Sequence, residues 1–323
     1  MKLTKSMKNK LTAVLAAGVL MTSMVGCSST TKEAELTDLT ITHVTSPLNV
    51  PSIIQKTNNV FADEFKANGK DVTINYAEIT SGADQTQALA SGDVDVLYAV
   101  GGTSVISAAA NGADIKILNM YSRSPEAFCM YSHDANIKSA QDLKGKTIVG
   151  PAGTNLHQLL IAYLEKAGMT IEDVNFVNMA IPDAKAALDG KSADVALLAG
   201  PTAYKAGQQG YNLVTNGKGL TDAVIAVAVT EKFYNEHKED LEIFKQAEAN
   251  IIKYMNENHD KAMEIVAKEL DLDKSAVEEM YKQYDFSIET TDADVQAFQN
   301  VADFMLKTGM IENEVNVEDL FIK

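Results

Sequence analysis

The sequence predicts a two-lobe α/β fold. The first observation is an alternation of short apolar runs with helical patterns, which is typical of parallel βαβ units. The second is an internal repeat at an offset of 99 residues, in which LASGDVDVLYAVGGT (89–103) aligns with LDGKSADVALLAGPT (188–202). Asp95 then matches Asp194, and Thr103 matches Thr202. Two such halves predict two lobes, each built as a sheet with helices packed on it.

Each half begins with a strand, a turn and a helix. The first half opens with TITHVTSPLNVPSI (40–53) and the second with TIVGPAGTNLHQLL (147–160), and a Gly- or Pro-containing turn separates strand from helix in both. Further strands are predicted from short apolar runs at 72–76, 115–120, 175–177 and 213–214. Apolar runs at 127–131 and 223–229 have strand length and are expected where the chain crosses between the lobes.

After Glu231 the apolar pattern is helical. Two helical faces are formed by Leu241, Phe244, Ala247, Ile251 and Tyr254, and by Val295, Phe298, Ala302 and Met305. These helices have no strands of their own, so we expect them to pack mainly on lobe one. The predicted boundaries are residues 36–122 plus 228–323 for lobe one and 123–227 for lobe two.

The first 26 residues are typical of an export signal. An apolar run follows the basic residues Lys2, Lys5, Lys8 and Lys10, and it is too short and not apolar enough to span a bilayer. The run ends in Met24-Val25-Gly26-Cys27, which resembles a bacterial lipobox and implies cleavage before Cys27 and lipid on its sulfur. A plain secretory signal with an incidental cysteine is the alternative. Residues 27–35 are predicted to be a polar tether.

Charge and cysteine content restrict the possible partners. The formal charge is −16, and removing the four lysines of residues 1–26 makes it −20. A chain this acidic would repel nucleic acid and an anionic bilayer surface. If Cys27 carries lipid, Cys129 is the only remaining thiol, so no internal disulfide is predicted.

A series of motifs connects the chain with a known family. In order these are Ser81-Gly82, Gln87-Ala88-Leu89, Ser91 to Asp95, Gly101-Gly102-Thr103, Asp142 to Ile148, the stretch 150–160, Pro182-Asp183-Ala184, Ala187-Leu188 and Asp194-Val195. With the lipobox ahead of them, they resemble the solute-binding lipoproteins of ABC importers in the nitrate/sulfonate/taurine branch, which includes binders of thiamine precursors. One departure is Gly200-Pro201-Thr202, where a Trp-Glu-Pro-like run is common in the family.

The resemblance implies a type II periplasmic-binding-protein fold with a ligand cleft between the lobes. It implies a monomer without cofactor, metal or catalytic activity, held on the outer face of the cytoplasmic membrane by lipid on Cys27. Its expected partners are a small solute, an ABC permease and the ATPase of that permease. The first expected ligand is a sulfonate or carboxylate. The alternatives are a pyrimidine-like vitamin precursor and, on the same scaffold, an enzyme related to the pyrimidine-precursor synthase branch.

Open α/β sheets bind ligands at the carboxyl ends of their strands. In two facing lobes this rule directs four turns into one cleft, at 45–48, 101–104, 150–156 and 200–203. Unpaired backbone N–H groups and hydroxyl groups at these turns can hold an anion. The predicted ligand-binding residues are Ser46, Pro47, Gly101, Gly102, Thr103, Thr154, Asn155, His157, Gly200 and Thr202. Helix capping without any ligand is the alternative role for Thr154 and Asn155.

Other residues have weaker signals. Arg123 is the only arginine and can bind an anion, although a surface pair with Glu126 is the preferred interpretation. Asp93, Asp95 and Asp194 are expected to act in turns and caps, because they precede strands at the end opposite the cleft. The five histidines lack metal-ligand spacing. Lys144-Gly145-Lys146-Thr147 lacks the glycine and the following helix that a P-loop needs.

Overall fold

A computed structural model describes residues 35–322. The predicted signal peptide, Cys27 and nearly all of the predicted tether lie outside the described residues. The strands are β1 (Asp38–Thr42), β2 (Thr73–Ala77), β3 (Leu97–Gly101), β4 (Lys116–Arg123), β5 (Phe128–Ser132), β6 (Thr147–Gly150), β7 (Asn175–Asn178), β8 (Val195–Ala199), β9 (Asn212–Asn216) and β10 (Val224–Val229). The α-helices are α1 (Val50–Thr57), α2 (Val60–Ala67), α3 (Gly82–Ser91), α4 (Gly102–Ala110), α5 (Asn155–Glu165), α6 (Ile181–Asp189), α7 (Gly200–Gln208), α8 (Glu231–Glu236), α9 (Lys238–Glu257), α10 (His259–Leu270), α11 (Lys274–Tyr281) and α12 (Asp292–Lys307).

The first lobe is built on five strands in the order β2-β1-β3-β10-β4. Strands β1 and β2 pair in parallel, and β10 pairs antiparallel with both β3 and β4. A parallel bridge between Ile41 and Val96 joins the two groups, and Thr42 N–H donates to Val96 O at 3.1 Å.

The second lobe has the same order of strands. Its sheet runs β7-β6-β8-β5-β9, with β6 parallel to β7 and β8, and with β5 antiparallel to β8 and β9. The fourth strand in the order of each sheet is β10 or β5. The chain forms this strand directly after it returns from the other lobe. The shared order confirms the internal repeat, and the fold class predicted from the sequence is confirmed.

The chain passes from the first sheet to the second between β4 and β5, and it returns between β9 and β10. Strand β4 continues to Arg123 within the first sheet. Strand β10 starts at Val224 and lies wholly in the first sheet, so the predicted boundary at 227/228 falls inside this strand. The six residues of β10 are all buried and apolar, and a central strand between two neighbours requires this pattern.

The C-terminal helices pack mainly on the first lobe. Helix α9 contacts α1 and α2, α10 contacts α1, and α12 contacts α4. Helix α11 also reaches α7 in the second lobe. The apolar residues that the sequence placed on the α9 and α12 faces, among them Phe244, Ile251 and Phe298, are fully buried.

Asp95 and Asp194 have equivalent structural roles. One carboxylate oxygen of Asp95 accepts the N–H of Thr40 in the middle of β1, and one of Asp194 accepts the N–H of Thr147 at the start of β6, both at 2.8 Å. Each aspartate thus satisfies a strand N–H at the end of the sheet opposite the four turns. The sequence predicted a role in turns and caps, and the structure instead shows each aspartate bonded to a strand that is distant in the sequence.

Candidate functional site

Four helices begin just after strands end, at the carboxyl ends of the strands, where the predicted turns lie. Strand β1 leads into α1, β3 into α4, β6 into α5 and β8 into α7. At none of these four helices does the N-cap side chain accept a backbone N–H of the first turn. Three of the N-cap residues, Asn49, Gly101 and Ala199, precede a first turn that contains glycine or proline.

The turns of β3 and β6 meet in a buried polar contact. Thr103 Oγ1 lies 3.4 Å from Asn155 Oδ1, and the hydroxyl is the donor. Thr103 is 1% exposed and Asn155 is 4% exposed. A residue from each lobe therefore presents neutral hydrogen-bonding groups at one point between the two sheets.

The turns of β1 and β8 meet through their backbones. Gly200 is buried with φ +54°, and a Cβ atom placed on it would lie 1.8 Å from Pro47 O. The same atom would lie 2.4 Å from the carbonyl carbon of Pro47. Only glycine allows this approach, because any side chain at position 200 would overlap the main chain of the other lobe. The Ser46–Pro47 peptide bond is cis.

The 150–154 turn is held by side chains on both sides. Ala152 N–H donates to Asn178 Oδ1 at 2.9 Å, and Gly153 N–H donates to His157 Nδ1 at 3.2 Å. Thr154 Oγ1 donates to Pro151 O at 2.9 Å. The backbone N–H groups of Ala152 and Gly153, which the sequence predicted to be available to a ligand, therefore already have acceptors. The hydroxyl proton of Thr154 has one too.

His157 is a neutral side chain with one unsatisfied nitrogen. Its Nδ1 accepts the Gly153 N–H, so the ring proton belongs on Nε2, which is buried and has no partner within the described chain. The ring stacks on Phe176 with centroids 4.7 Å apart. Burial lowers the pKa of His157 because desolvation disfavours the imidazolium. The proton on Nε2 can be donated to an acceptor that approaches it.

The remaining predicted site residues differ in exposure. Ser46 is exposed, and its carbonyl accepts Asn49 Nδ2, which also donates to Val44 O at 2.9 Å. Gly101 and Thr202 are half-buried. Gly102 is buried, and an added Cβ would lie 2.8 Å from Val224 Cγ2, so this glycine serves packing within the first lobe.

Arg123 makes a different contact from the one preferred on sequence grounds. Its Nε and Nη2 donate to the two carboxylate oxygens of Asp294, each at 2.7 Å, and Nη2 also donates to Glu289 O. Glu126 pairs with Lys218 at 2.8 Å instead. Burial opposes ionisation of Asp294, but the hydrogen bonds from Arg123 and Thr291 outweigh it and hold the pKa of Asp294 low. The expected Arg123–Glu126 pair was wrong, because a fully bidentate partner lies 171 residues away.

The four turns carry no formal charge apart from the ionisable ring of His157. The donors available to a ligand are therefore hydroxyl, amide, imidazole and backbone N–H groups. Two surface cavities of about 410 and 440 Å³ lie elsewhere, beside α12 and at the end of α4. Their acidic linings, which include Asp292 and Glu318 in one and Asp114 and Glu314 in the other, do not suit an anion. Within residues 35–322 no cluster of three or more His, Cys, Asp or Glu residues is arranged to hold a metal.

Comparison with known proteins agrees with this architecture. Residues 63–262 match the family described as NMT1/THI5 like. A putative aliphatic sulfonates-binding protein of Bacillus subtilis is 26% identical over 275 residues, which is 84% of this chain and 82% of the relative. The taurine-binding periplasmic protein of Escherichia coli is 28% identical over 59% of this chain and 55% of its own length.

Among solved structures, the alkanesulfonate-binding protein SsuA of Xanthomonas axonopodis pv. citri bound to MOPS superposes with a TM-score of 0.81 at 20% identity. The match covers 90% of this chain and 99% of that one. The fold is therefore that of the periplasmic binding proteins. The chain belongs to the NMT1/THI5-like family. Within the described part of the chain no helix has the length and apolar character required to cross a bilayer.

Sequence reasoning missed two residues that shape the turns. Asn178 is the last residue of β7 and holds the 150–154 turn, and Asn49 holds the loop before α1. An asparagine next to a turn often bonds to nearby backbone, so Asn49 had a local signal. Asn178 had none, because its partner Ala152 is 26 residues away in the sequence.

Proposed function

We propose that the protein is the solute-binding component of an ABC importer and holds a small anionic solute between its four turns. The observation that carries the proposal is the buried approach of Thr103 to Asn155, which joins the two predicted halves of the site. Family membership and the sulfonate- and taurine-binding relatives support the same class of function.

The proposed ligand is a sulfonate or carboxylate that accepts hydrogen bonds from neutral groups. Thr103 and Asn155 are the proposed central contacts, with the Thr103 hydroxyl turning from Asn155 Oδ1 to the ligand. The uncapped first turns of α4 and α5 supply backbone N–H groups. Preorganised donors at helix N-termini favour negative charge. His157 Nε2–H is a further proposed donor. Gly101, Gly200, Ser46, Pro47 and Thr202 are proposed to border the ligand, and Thr154 to set the shape of its turn.

The four turns carry no cationic side chain, and this favours release of the bound anion as well as its capture. A carrier must hand its solute to a permease, and an anion fixed by arginine would carry a bidentate charged contact that has to be broken. The only arginine of the chain is instead engaged by Asp294. We propose reversible binding without catalysis, followed by delivery to a permease and its ATPase.

Export and anchoring are part of the same proposal. The basic, apolar and cysteine-terminated segment 1–27 is proposed to direct export and to leave the chain attached by lipid on Cys27, as a monomer at the outer face of the cytoplasmic membrane. Mass spectrometry of the membrane fraction would detect the lipid on Cys27. A mature chain that begins elsewhere, or an unmodified Cys27, would contradict the anchor.

The sharpest test of the site is the substitution Asn155→Asp. Aspartate has nearly the size of asparagine, and at the first position of α5 its charge favours the helix dipole, so the fold should persist. A buried carboxylate facing the ligand should weaken binding of ethanesulfonate or propionate about 100-fold or more. Isothermal titration calorimetry measures this change, and a thermal melt checks the fold.

Two controls make the result interpretable. Thr290→Ala removes an exposed threonine hydroxyl outside the helices and strands and should leave affinity unchanged. Thr103→Ala should weaken anion binding at least about tenfold. An Asn155→Asp protein that binds these anions as the wild type does would refute the site. Binding of a neutral pyrimidine, with no response to either anion, would favour the vitamin-precursor alternative.

A further inference from the structure

The two contacts between the lobes join equivalent pairs of turns, although they use different residues of the repeat, which matches Thr103 with Thr202 and Gly101 with Gly200. Thr103 lies in the turn after β3 of the first lobe and contacts Asn155, in the turn after β6 of the second lobe. Gly200 lies in the turn after β8 of the second lobe and contacts Pro47, in the turn after β1 of the first lobe. The four turns therefore form two touching pairs rather than one open gap.

The two pairs differ in how closely the chains approach. Thr103 and Asn155 meet through polar side chains that can move apart by a change of rotamer. Gly200 and Pro47 meet through main chain, and the hypothetical Cβ on Gly200 also lies 2.7 Å from Pro47 Cα. Not even one methyl group can be added between these backbones without separating the lobes. The Pro47–Gly200 contact is thus the tighter of the two boundaries.

We infer that the Pro47–Gly200 contact sets an upper limit on solute size, so that the site selects compact anions with a short chain over long alkyl or ring-bearing anions. This inference rests on the proposed function of the same site. A ligand held between the turn pairs can extend past this boundary only by breaking the contact. A long substituent therefore prevents the lobes from reaching the arrangement in which Thr103 and Asn155 act together, and the affinity falls.

The test is a titration of the wild-type protein with methanesulfonate, ethanesulfonate, butanesulfonate and octanesulfonate. Affinity should be highest for the shortest members and should fall at least about tenfold from ethanesulfonate to octanesulfonate. Equal or tighter binding of octanesulfonate would overturn the size limit while leaving the proposed function in place. If neither these sulfonates nor the matching carboxylates bind, both the size limit and the proposed function are refuted.

The substitution Gly200→Ala tests the contact directly. The added methyl should hold Pro47 and residue 200 apart, weaken ethanesulfonate binding at least about tenfold, and reduce the preference for short over long chains. Gly210→Ala is the matched control. Gly210 lies just beyond the other end of α7, has φ +81°, and has no atom within 4 Å of an added Cβ. Gly210→Ala therefore also places alanine at a positive φ, but without the contact.

A structural readout separates the contact from general loss of stability. Small-angle scattering with saturating ethanesulfonate should give a larger radius of gyration for Gly200→Ala than for the wild type and for Gly210→Ala. Equal radii together with unchanged chain-length selectivity in Gly200→Ala would refute the role of this contact. If Gly200→Ala does not fold, the wild-type chain-length series still decides the size limit.

Discussion

The two lobes have the same sheet order but different surroundings. Both sheets place a repeat aspartate at one end and two helix-starting turns at the other. The first lobe additionally carries α9, α10 and α12, whereas the second lobe is contacted mainly through α11. The repeated part thus builds the candidate site, and the added helices enlarge the core of only one lobe.

This difference decides where ionisable groups are buried. Helix α9 covers the first sheet and places Glu248, 1% exposed, against Asn119 of β4, whose Nδ2 lies 3.3 Å from Glu248 Oε1. The other carboxylate oxygen has no partner within the described residues. Burial raises the pKa of Glu248 to about 8. The comparison indicates that the pH dependence of stability should come mainly from the first lobe, while the site itself uses neutral groups.

The largest expected effect is that of Glu248→Gln. As pH rises above 4.5, the ordinary value, the unfolded chain ionises at this residue while the folded chain keeps its proton up to about 8. Stability should therefore fall across this window, by on the order of 4 kcal/mol from this one group. A glutamine side chain cannot ionise, so the variant should be more stable than the wild type at pH 8 and similar at pH 4.5. Urea unfolding at both values measures the difference.

An exposed glutamate on the same helix provides the control for this prediction. Glu257→Gln should show no pH-dependent gain, because Glu257 is exposed in the last turn of α9. Equal stability of Glu248→Gln and wild type at pH 8 would show that Glu248 is ionised at little cost in the fold. The proposed pH asymmetry between the lobes would then be wrong.

A smaller effect is expected from Arg123→Ala. Arg123 ends β4 and holds the first turn of α12 to this strand through Asp294, which is 4% exposed. Removing the guanidinium leaves a buried carboxylate unpaired, at a cost of about 3 kcal/mol. Ligand affinity measured below the unfolding temperature should not change. A loss of affinity greater than the loss of stability would place Arg123 in the site and contradict the neutral-donor description.

The smallest effects are expected from Asp95→Ala and Asp194→Ala, which compare the lobes at equivalent positions. Each substitution removes a charge-assisted bond to a strand N–H and should cost about 1–3 kcal/mol. Burial raises the pKa of Asp95, although its bond to Thr40 N–H opposes this. Keeping Asp95 charged is therefore costly, and its removal should destabilise less than removal of Asp194. Chemical denaturation of both variants at pH 7 tests the order, and the reverse order would contradict it.

Much of the fold could be predicted because its signals are local. The strands of the repeat, the crossing runs at 127–131 and 223–229 and the α9 face all follow from periodicity within a few residues. The end of the first sheet was less well predicted. Residues 223–229 form one apolar run, and nothing inside it tells where the chain leaves one lobe for the other.

The candidate site was predictable in location but not in detail. The switch-point rule gives the four turns from the strand–helix order alone. Which backbone N–H groups remain available was not predictable, because Asn178 and His157 occupy those of Ala152 and Gly153. The partner of Arg123 was missed for the same reason, since Asp294 reaches it only after the C-terminal helices pack.

The sequence by itself determined the order of strands and helices, the repeat, the uncharged turns and the acidic exterior. These depend on residue type and on spacing along a short stretch of chain. Only the tertiary structure decided that Thr103 meets Asn155 and that Gly200 meets Pro47. Those pairs are far apart in the sequence, and their distances depend on how two packed sheets lie against each other, which no local pattern encodes.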